Sequence, residues 1–373
     1  MDRPVKVLQI GMTSNWGGLE TYLMQQFDNI DKTKVSYDFV NITNEYDIVF
    51  KEKILDNGSN IYGICSRHKN PLKHYFQWIS LLCREGYKYK AVVLNSNSLE
   101  YVFPMFIGKL FGIHMRIMHS HNAGYEHPIG LLRKCLIAVN RLLMKWSVTD
   151  YFACSQDAGE WMFGNNIPFH IIHNAISIER FSYNDIVRKN KRAELGLADQ
   201  FVVGHVGRFT YQKNHDFLLD IFEEIVKLKP NALLLLAGDY VGDDSFWRKA
   251  HEKVMQYGIE DNVRFLGMRN DVPELMQAMD CFVLPSRFEG LGLVGIEAQT
   301  AGLPCFFSST ITKELGITHL SNYIDLTSPS KVWAEKIIVG SRIDRCNMDY
   351  NVREYGYDIK NEIKKIEEFY MMR

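Results

Sequence analysis

This 373-residue sequence contains no run of the roughly 18 apolar residues needed for a membrane-crossing helix. The nearest approach, Tyr101 to Ile113, is broken by Lys109. The seven cysteines (Cys65, Cys83, Cys135, Cys154, Cys281, Cys305 and Cys346) are odd in number and form no C-x-x-C pair. A disulfide framework is therefore not expected, and a reducing cytoplasm is. Met1-Asp2-Arg3-Pro4-Val5-Lys6 leads at once into a strand pattern, leaving no room for a signal peptide. No excess of one charge exists either: 43 Lys+Arg stand against 44 Asp+Glu, for a net charge of −1. That balance gives no overall attraction to nucleic acid or to a membrane surface. Internal repeats and low-complexity tracts are missing as well.

The charge is unevenly spread. Residues 51–150 hold 14 Lys+Arg and 6 Asp+Glu, a local excess of +8. Such a stretch is either scattered over a solvated surface or directed at an anionic partner. Within it, Leu131 to Trp146 sets Arg133, Lys134, Arg141 and Lys145 beside many apolar residues. That pattern suits a membrane-surface helix and equally a core helix with a basic edge.

Apolar strand patterns alternate with helical ones along the chain. Strands are predicted at Val5–Gly11, Val35–Phe39, Ala91–Leu94, Met115–His119 and Asp150–Cys154, with helices over Leu72–Leu82, Val102–Leu110 and Gly130–Ser147 between them. A second series has strands at Phe201–Val206, Ala232–Gly238, Val263–Gly267, Asp280–Ser286 and Cys305–Phe307. Its helices are His215–Leu228, Phe246–Tyr257 and Val272–Met279, with another leading to Thr300. Alternation of this kind predicts parallel sheets covered on both faces, hence two doubly wound α/β domains. The polar segment Ile178–Asp199, with its run Arg188-Lys189-Asn190-Lys191-Arg192, is expected to join them.

Arg287-Phe288-Glu289-Gly290-Leu291-Gly292-Leu293-Val294-Gly295-Ile296-Glu297 is the most informative stretch. It reads as a glycine-rich turn between a buried strand and an apolar helix, a geometry that aims backbone N–H groups at an anion. Glu289 falls in the loop and Glu297 about two turns into the helix; carboxylates accept hydrogen bonds from hydroxyls. Most acids in such turns are solvated, so a phosphate-ester site is one reading among others. Arg208 and Lys213 follow the first strand of the second series, where open α/β sheets bind ligands. Alone they read as surface charge; together with the glutamates they could neutralise a diphosphate. Asn15-Trp16-Gly17-Gly18-Leu19-Glu20 follows the first strand, and paired glycines allow close approach of a bulky anion. It lacks a full G-x-G-x-x-G fingerprint, which weakens a dehydrogenase reading. Glu20 is read as a first-turn helix acid and Asp239 as a loop or cap acid. His119 and His121 end a strand on the ligand side, and no third metal ligand is visible.

These motifs resemble the retaining GT-B glycosyltransferases of family four, the glycosyl transferases group 1. The likeness covers most of the chain and is most specific from Gly204 to Pro304. It implies an α/β GT-B architecture of two Rossmann-like domains facing across a cleft. Residues 1–178 would bind acceptor and 179–354 the donor, with a C-terminal helix in 355–373 returning to the first domain. By the same resemblance Glu289 and His121 (with His119 second) face the donor sugar, Glu297 binds the ribose, and Arg208 and Lys213 hold the diphosphate. Gly17, Gly18, Gly292, Leu293 and Val294 would touch the donor through backbone groups, and Met268, with the strand before it, would line the base pocket. The reaction implied is transfer of a hexosyl or N-acetylhexosaminyl group, with retention, from a uridine diphosphate sugar to a saccharide or lipid-linked saccharide. The Gly-Gly-Leu-Glu-Thr and His-Ser-His-Asn strings look most like capsule and exopolysaccharide enzymes, which act in the cytoplasm, here with a peripheral membrane contact at its inner face. No cofactor, metal or nucleic acid is expected, and no D-x-D motif occurs. The alternatives are an inactive nucleotide-sugar-binding subunit and a GT-B sugar-nucleotide epimerase. Acceptor choice is assigned to first-domain loops such as Gly124–Ile129.

Overall fold

The computed structural model describes residues 4–125, 129–240 and 242–372. Residues 126–128 of the expected acceptor loop thus lie outside the described residues. The chain forms two compact units: residues up to Ala175 together with those from Ile359 onward, and Ile176–Asp358.

The first unit runs β1 (Val5–Ile10), α1 (Gly18–Asn29), β2 (Val35–Asn41), α2 (Lys51–Asp56), β3 (Ile61–Gly63), α3 (Pro71–Glu85), β4 (Ala91–Ser96), α4 (Phe103–Leu110), β5 (Met115–Ser120), α5 (Leu131–Ser147), β6 (Asp150–Ala153), α6 (Gln156–Phe163) and β7 (His170–Ile171). Its seven strands are ordered β3-β2-β1-β4-β5-β6-β7, every neighbouring pair parallel. Alternation along each strand divides the core in two. Val7, Val93 and Ile117 face one side, and Leu8, Val92 and Met118 the other. The first side is closed by α1 and by the last helix of the chain, through Ile363, Ile366 and Tyr370. Trp78 of α3, Met105 of α4 and Met144 of α5 fill the second. α3 begins at a sequence-encoded stop, where Asn70 accepts from the Lys73 amide and Pro71 opens the helix.

The second unit runs α7 (Ile178–Phe181), α8 (Asp185–Glu194), β8 (Phe201–Val206), α9 (His215–Leu228), β9 (Ala232–Ala237), α10 (Ser245–Tyr257), β10 (Val263–Gly267), α11 (Val272–Ala278), β11 (Cys281–Leu284), α12 (Leu293–Thr300), β12 (Cys305–Ser308), β13 (Ser321–Ile324), α13 (Ser330–Gly340) and α14 (Asp349–Glu354); α15 (Ile359–Met372) belongs to the first unit. Six parallel strands follow the order β10-β9-β8-β11-β12-β13. β9 is apolar and buried throughout, as a central parallel strand must be. In both units the strand order reverses beside the first strand, between β1 and β4 and between β8 and β11. Ligands of open α/β sheets bind at the carboxyl ends of strands next to such a reversal.

Two expectations need correction. The segment read as a polar join is instead α7 and α8, part of the second unit. Arg188 pairs with Asp280 at 2.5 Å and Lys191 with Asp271 at 2.5 Å, so the charged run is tied down against the start of β11 and of α11. Glu297 lies little more than one turn into its helix, because α12 begins only at Leu293. The strands β3, β7 and β13 are missing from the sequence reading; each is short and partly exposed, so its apolar signal is weak.

Candidate functional site

The carboxyl ends of β8 and β11 lie side by side, and their loops are locked together. Arg287 N–H donates to the Gln212 carbonyl at 2.8 Å. Asn214 donates to the Pro285 carbonyl at 3.0 Å and accepts from the Arg287 guanidinium at 2.7 Å. Between these ties, Lys213 pairs with Glu289 at 2.8 Å and Gln212 donates to the other Glu289 oxygen at 2.9 Å. Glu289 is 7% exposed, so both of its oxygens are oriented by protein groups. Arg208, in the same β8–α9 loop, is half-buried and makes no side-chain hydrogen bond or ion pair among the described residues. An unopposed guanidinium next to an ordered lysine is an anion-binding arrangement.

Across this floor stands the start of α12. Gly292 has φ +84°, a left-handed turn that glycine adopts without strain, and it forms the helix N-cap with no side-chain cap of its own. The first N–H groups of α12, at Leu293 and Val294, precede any intrahelical acceptor and add the positive end of the helix dipole. Glu297 is buried one turn further on, and its carboxylate has no hydrogen-bond or ion-pair partner among the described residues. Burial pushes its pKa up to about 7, against the pull of Arg180 and Lys213. An unpartnered buried carboxylate is expensive unless something donates to it. Met268 is exposed just past β10, on the same edge of the sheet. Asp239 caps its own turn, accepting from the Tyr240 amide at 2.8 Å.

Two residues that the sequence reading passed over support this floor. His205 in β8 and His215 at the start of α9 are buried, their rings 4.7 Å apart. His205 donates from Nδ1 to the Val283 carbonyl at 2.8 Å, and burial holds its pKa near 3, "about 3" being far below an exposed imidazole. Both rings are thus neutral beneath Lys213. A histidine inside an apolar strand pattern was the available signal. Arg180, which opposes the Glu297 charge, sits on α7 and carries no motif.

In the first unit the expected residues lie on loops after β1 and β5. Gly17 caps α1 and Gly18 opens it. Neither has a positive φ, and a Cβ on Gly18 would meet nothing within 4 Å, so the fold itself does not require glycine there. Glu20 is buried and accepts from the Thr13 hydroxyl at 2.7 Å, which ties the β1–α1 loop to its helix. Asn95 donates to the Ile10 carbonyl and to Gln9, which turns its oxygen toward His121 Nε2 at 3.1 Å. His121 therefore carries its proton on Nε2. Burial pushes its pKa down to about 3, so the ring is a neutral hydrogen-bonding group. His119 stacks 4.0 Å away and is likewise held neutral by burial. Thus Arg208, Lys213, Glu289, Glu297 and the 292–294 turn are gathered in one unit, while Gly17, Gly18 and His121 occupy the other.

Residues 187–315 match the family model described as glycosyl transferases group 1. The chain is 30% identical over 368 residues to the putative glycosyltransferase EpsF of Bacillus subtilis (strain 168), covering 96% of this chain and 94% of that protein. A shorter match, 32% over 142 residues (37% of this chain, 36% of the relative), is to an Escherichia coli UDP-Gal:alpha-D-GlcNAc-diphosphoundecaprenol alpha-1,3-galactosyltransferase. Among solved structures, HepE of Anabaena in complex with UDP and glucose superimposes with a TM-score of 0.75 at 18% identity, covering 98% of this chain and 95% of that one. WaaG, a glycosyltransferase involved in lipopolysaccharide biosynthesis, gives a TM-score of 0.73 at 18% identity, covering 97% and 99%.

Proposed function

This chain belongs to the glycosyl transferases group 1 family and has the GT-B fold; from that premise we propose that it moves a hexosyl or N-acetylhexosaminyl group from a uridine diphosphate sugar to a saccharide or lipid-linked saccharide hydroxyl, with retention. The observation that carries the donor assignment is the free Arg208 beside the Lys213–Glu289 pair, under an uncapped helix start and next to the unpartnered Glu297. Breaking the anomeric C–O bond leaves negative charge on the departing diphosphate. Arg208, Lys213 and the first N–H groups of α12 are fixed in advance to stabilise that charge, with no reorganisation required at the moment of reaction. Glu297 accepts from the ribose hydroxyls, which supplies the donors its buried carboxylate lacks. Glu289 accepts from the sugar hydroxyls and is held in register by Gln212 and Lys213. His121, neutral at physiological pH, contributes hydrogen bonding to the sugar rather than charge. No separate base is assigned: the departing phosphate takes the acceptor proton. With two cations and a helix terminus supplying the electrostatics, we expect activity without added metal.

Uridine diphosphate in the relative HepE complex and a lipid-linked diphosphate acceptor in the name of the E. coli relative support the donor and acceptor classes. The relation to EpsF supports a role in extracellular or capsular polysaccharide synthesis. The test is thermal stabilisation by a panel of nucleotides and nucleotide sugars. A ligand at a hundred times its Kd stabilises by about 2.7 kcal/mol. We expect one uridine diphosphate sugar to produce such a shift in wild type, and Arg208→Ala and Glu297→Ala to abolish it. A folded wild-type protein stabilised by no nucleotide would remove the donor assignment.

A further inference from the structure

The sheet needs only one side of each covering helix, and three helices of the first unit leave an apolar side uncovered. α5 buries only Ile137, Asn140, Met144 and Ser147. Its outer stripe includes Leu132, 88% exposed, and Leu142, 70% exposed. On α3, Leu72 is 85% and Phe76 70% exposed. Contiguous apolar surface of this kind marks a binding face. Charge surrounds it asymmetrically. α3, α4 and α5 together carry Lys73, Arg84, Lys109, Arg133, Lys134, Arg141 and Lys145 against one acid, Glu85, and Glu85 is already paired with Lys88. Trp146, half-exposed, lies under the Lys109 ammonium at 3.7 Å, an aromatic and a cation placed as they are at a headgroup boundary.

A groove of about 240 Å³ opens between the same helices, walled by Tyr75, Tyr101, Phe103, Phe106, Leu136 and Leu143, with Arg67 and Glu100 at its polar end. It falls short of the roughly 300–1,000 Å³ of whole small-molecule sites, which suits a segment of an apolar chain. We propose that the α3–α4–α5 face seats on an anionic phospholipid bilayer and that this groove takes an acyl or isoprenyl chain from it. The apolar stripe supplies burial, the surrounding cations supply attraction to anionic headgroups, and the near absence of acids on these helices excludes repulsion. The inference stands on exposure and charge in one unit and does not depend on the donor assignment.

Flotation of the full-length protein with vesicles of phosphatidylglycerol and phosphatidylcholine, against phosphatidylcholine alone, tests it. Wild type floats with the anionic vesicles and less so at high salt. Leu132→Glu with Leu142→Glu, and separately Lys134→Glu with Lys145→Glu, each lower the bound fraction about tenfold or more, while melting temperature is unchanged because all four side chains are exposed. Brominated acyl chains quench tryptophan fluorescence in wild type, and Trp146→Phe, beside the groove residue Phe106, removes that quenching. The proposal is overturned if wild type does not float, if the two double variants float as well as wild type, or if quenching is unaffected by Trp146→Phe. It is equally overturned if wild type self-associates through this face, the leucine variant being monomeric, with no flotation.

Discussion

The two units share a parallel sheet, a strand-order reversal beside the first strand and a pair of buried neutral histidines at that reversal, yet their carboxyl edges are built from opposite materials. In the second unit the edge is ionic: Lys213 and Glu289 are paired at 2.8 Å, Arg208 is free, and Glu297 is buried without a partner. The first unit's edge is neutral, a chain of Asn95, His121, His119 and Tyr22. Its unusual chemistry lies elsewhere, on the apolar and basic surface of α3 and α5. One scaffold thus supports a charge-handling loop set in one copy and a hydrogen-bonding loop set in the other, because the loops at the strand ends are free to vary while the strands are not.

The sharpest way to break this contrast is Lys213→Ala. It removes a transition-state cation and leaves Glu289 buried with only Gln212. We expect kcat/KM to fall by about 10²–10³-fold, together with a stability loss on the order of 2 kcal/mol from the orphaned carboxylate. An active, fully stable variant would show that the ionic edge is ordinary surface charge.

A smaller effect separates the units by pH. Glu297 has its folded pKa raised to about 7 from 4.5, so the folded protein binds more protons than the unfolded chain between those values. Wild type therefore loses stability relative to Glu297→Gln as pH rises from about 4.5 through 7, by up to about 3 kcal/mol. His121, with a folded pKa pushed down to about 3, acts in the other direction: the stability tied to its neutral form is lost as pH falls below about 6.5. Denaturation midpoints of wild type, Glu297→Gln and His121→Gln across pH 5–8 should diverge at opposite ends. Parallel curves would contradict both assignments.

The smallest structural effect is expected at Gly18→Ala. Its Cβ meets nothing within 4 Å and its backbone is not left-handed, so the melting temperature should hold or rise slightly. Donor turnover should nevertheless fall if the backbone there approaches the diphosphate. Gly238→Ala is the control in the second unit: at φ +139°, with its Cβ 2.1 Å from the Gly207 carbonyl, it should destabilise markedly. Equal activity of Gly18→Ala and wild type would remove Gly18 from the donor contacts.

Much of the fold was readable beforehand, because parallel strands buried on both faces must be continuously apolar, as Ala232–Ala237 is. The ends of α3 and α9 were readable to within a few residues from Asn70-Pro71 and from the amphipathic period. The edge strands β3, β7 and β13 were not, since short exposed strands carry little apolar signal. Nor was the fate of the run Arg188 to Arg192: its polarity suggests a join, and only Asp271 and Asp280, some 80 and 92 positions away, turn it into a docked helix. Among the candidate site residues, Glu289, Glu297, Arg208 and Lys213 were each marked by local pattern, whereas Arg180 and the His205–His215 pair were not.

Residue order alone therefore determined the alternation of elements, the glycine turn before α12 and the residue types available at the strand ends, because these depend on neighbours a few positions apart. Tertiary structure decided that Lys213 meets Glu289 across 76 positions, that Glu297 is buried and unpartnered, and that the apolar stripe of α5 points outward instead of into the core. Ionic pairing, desolvation and exposure arise only when distant segments are brought together, so no local pattern can encode them by itself.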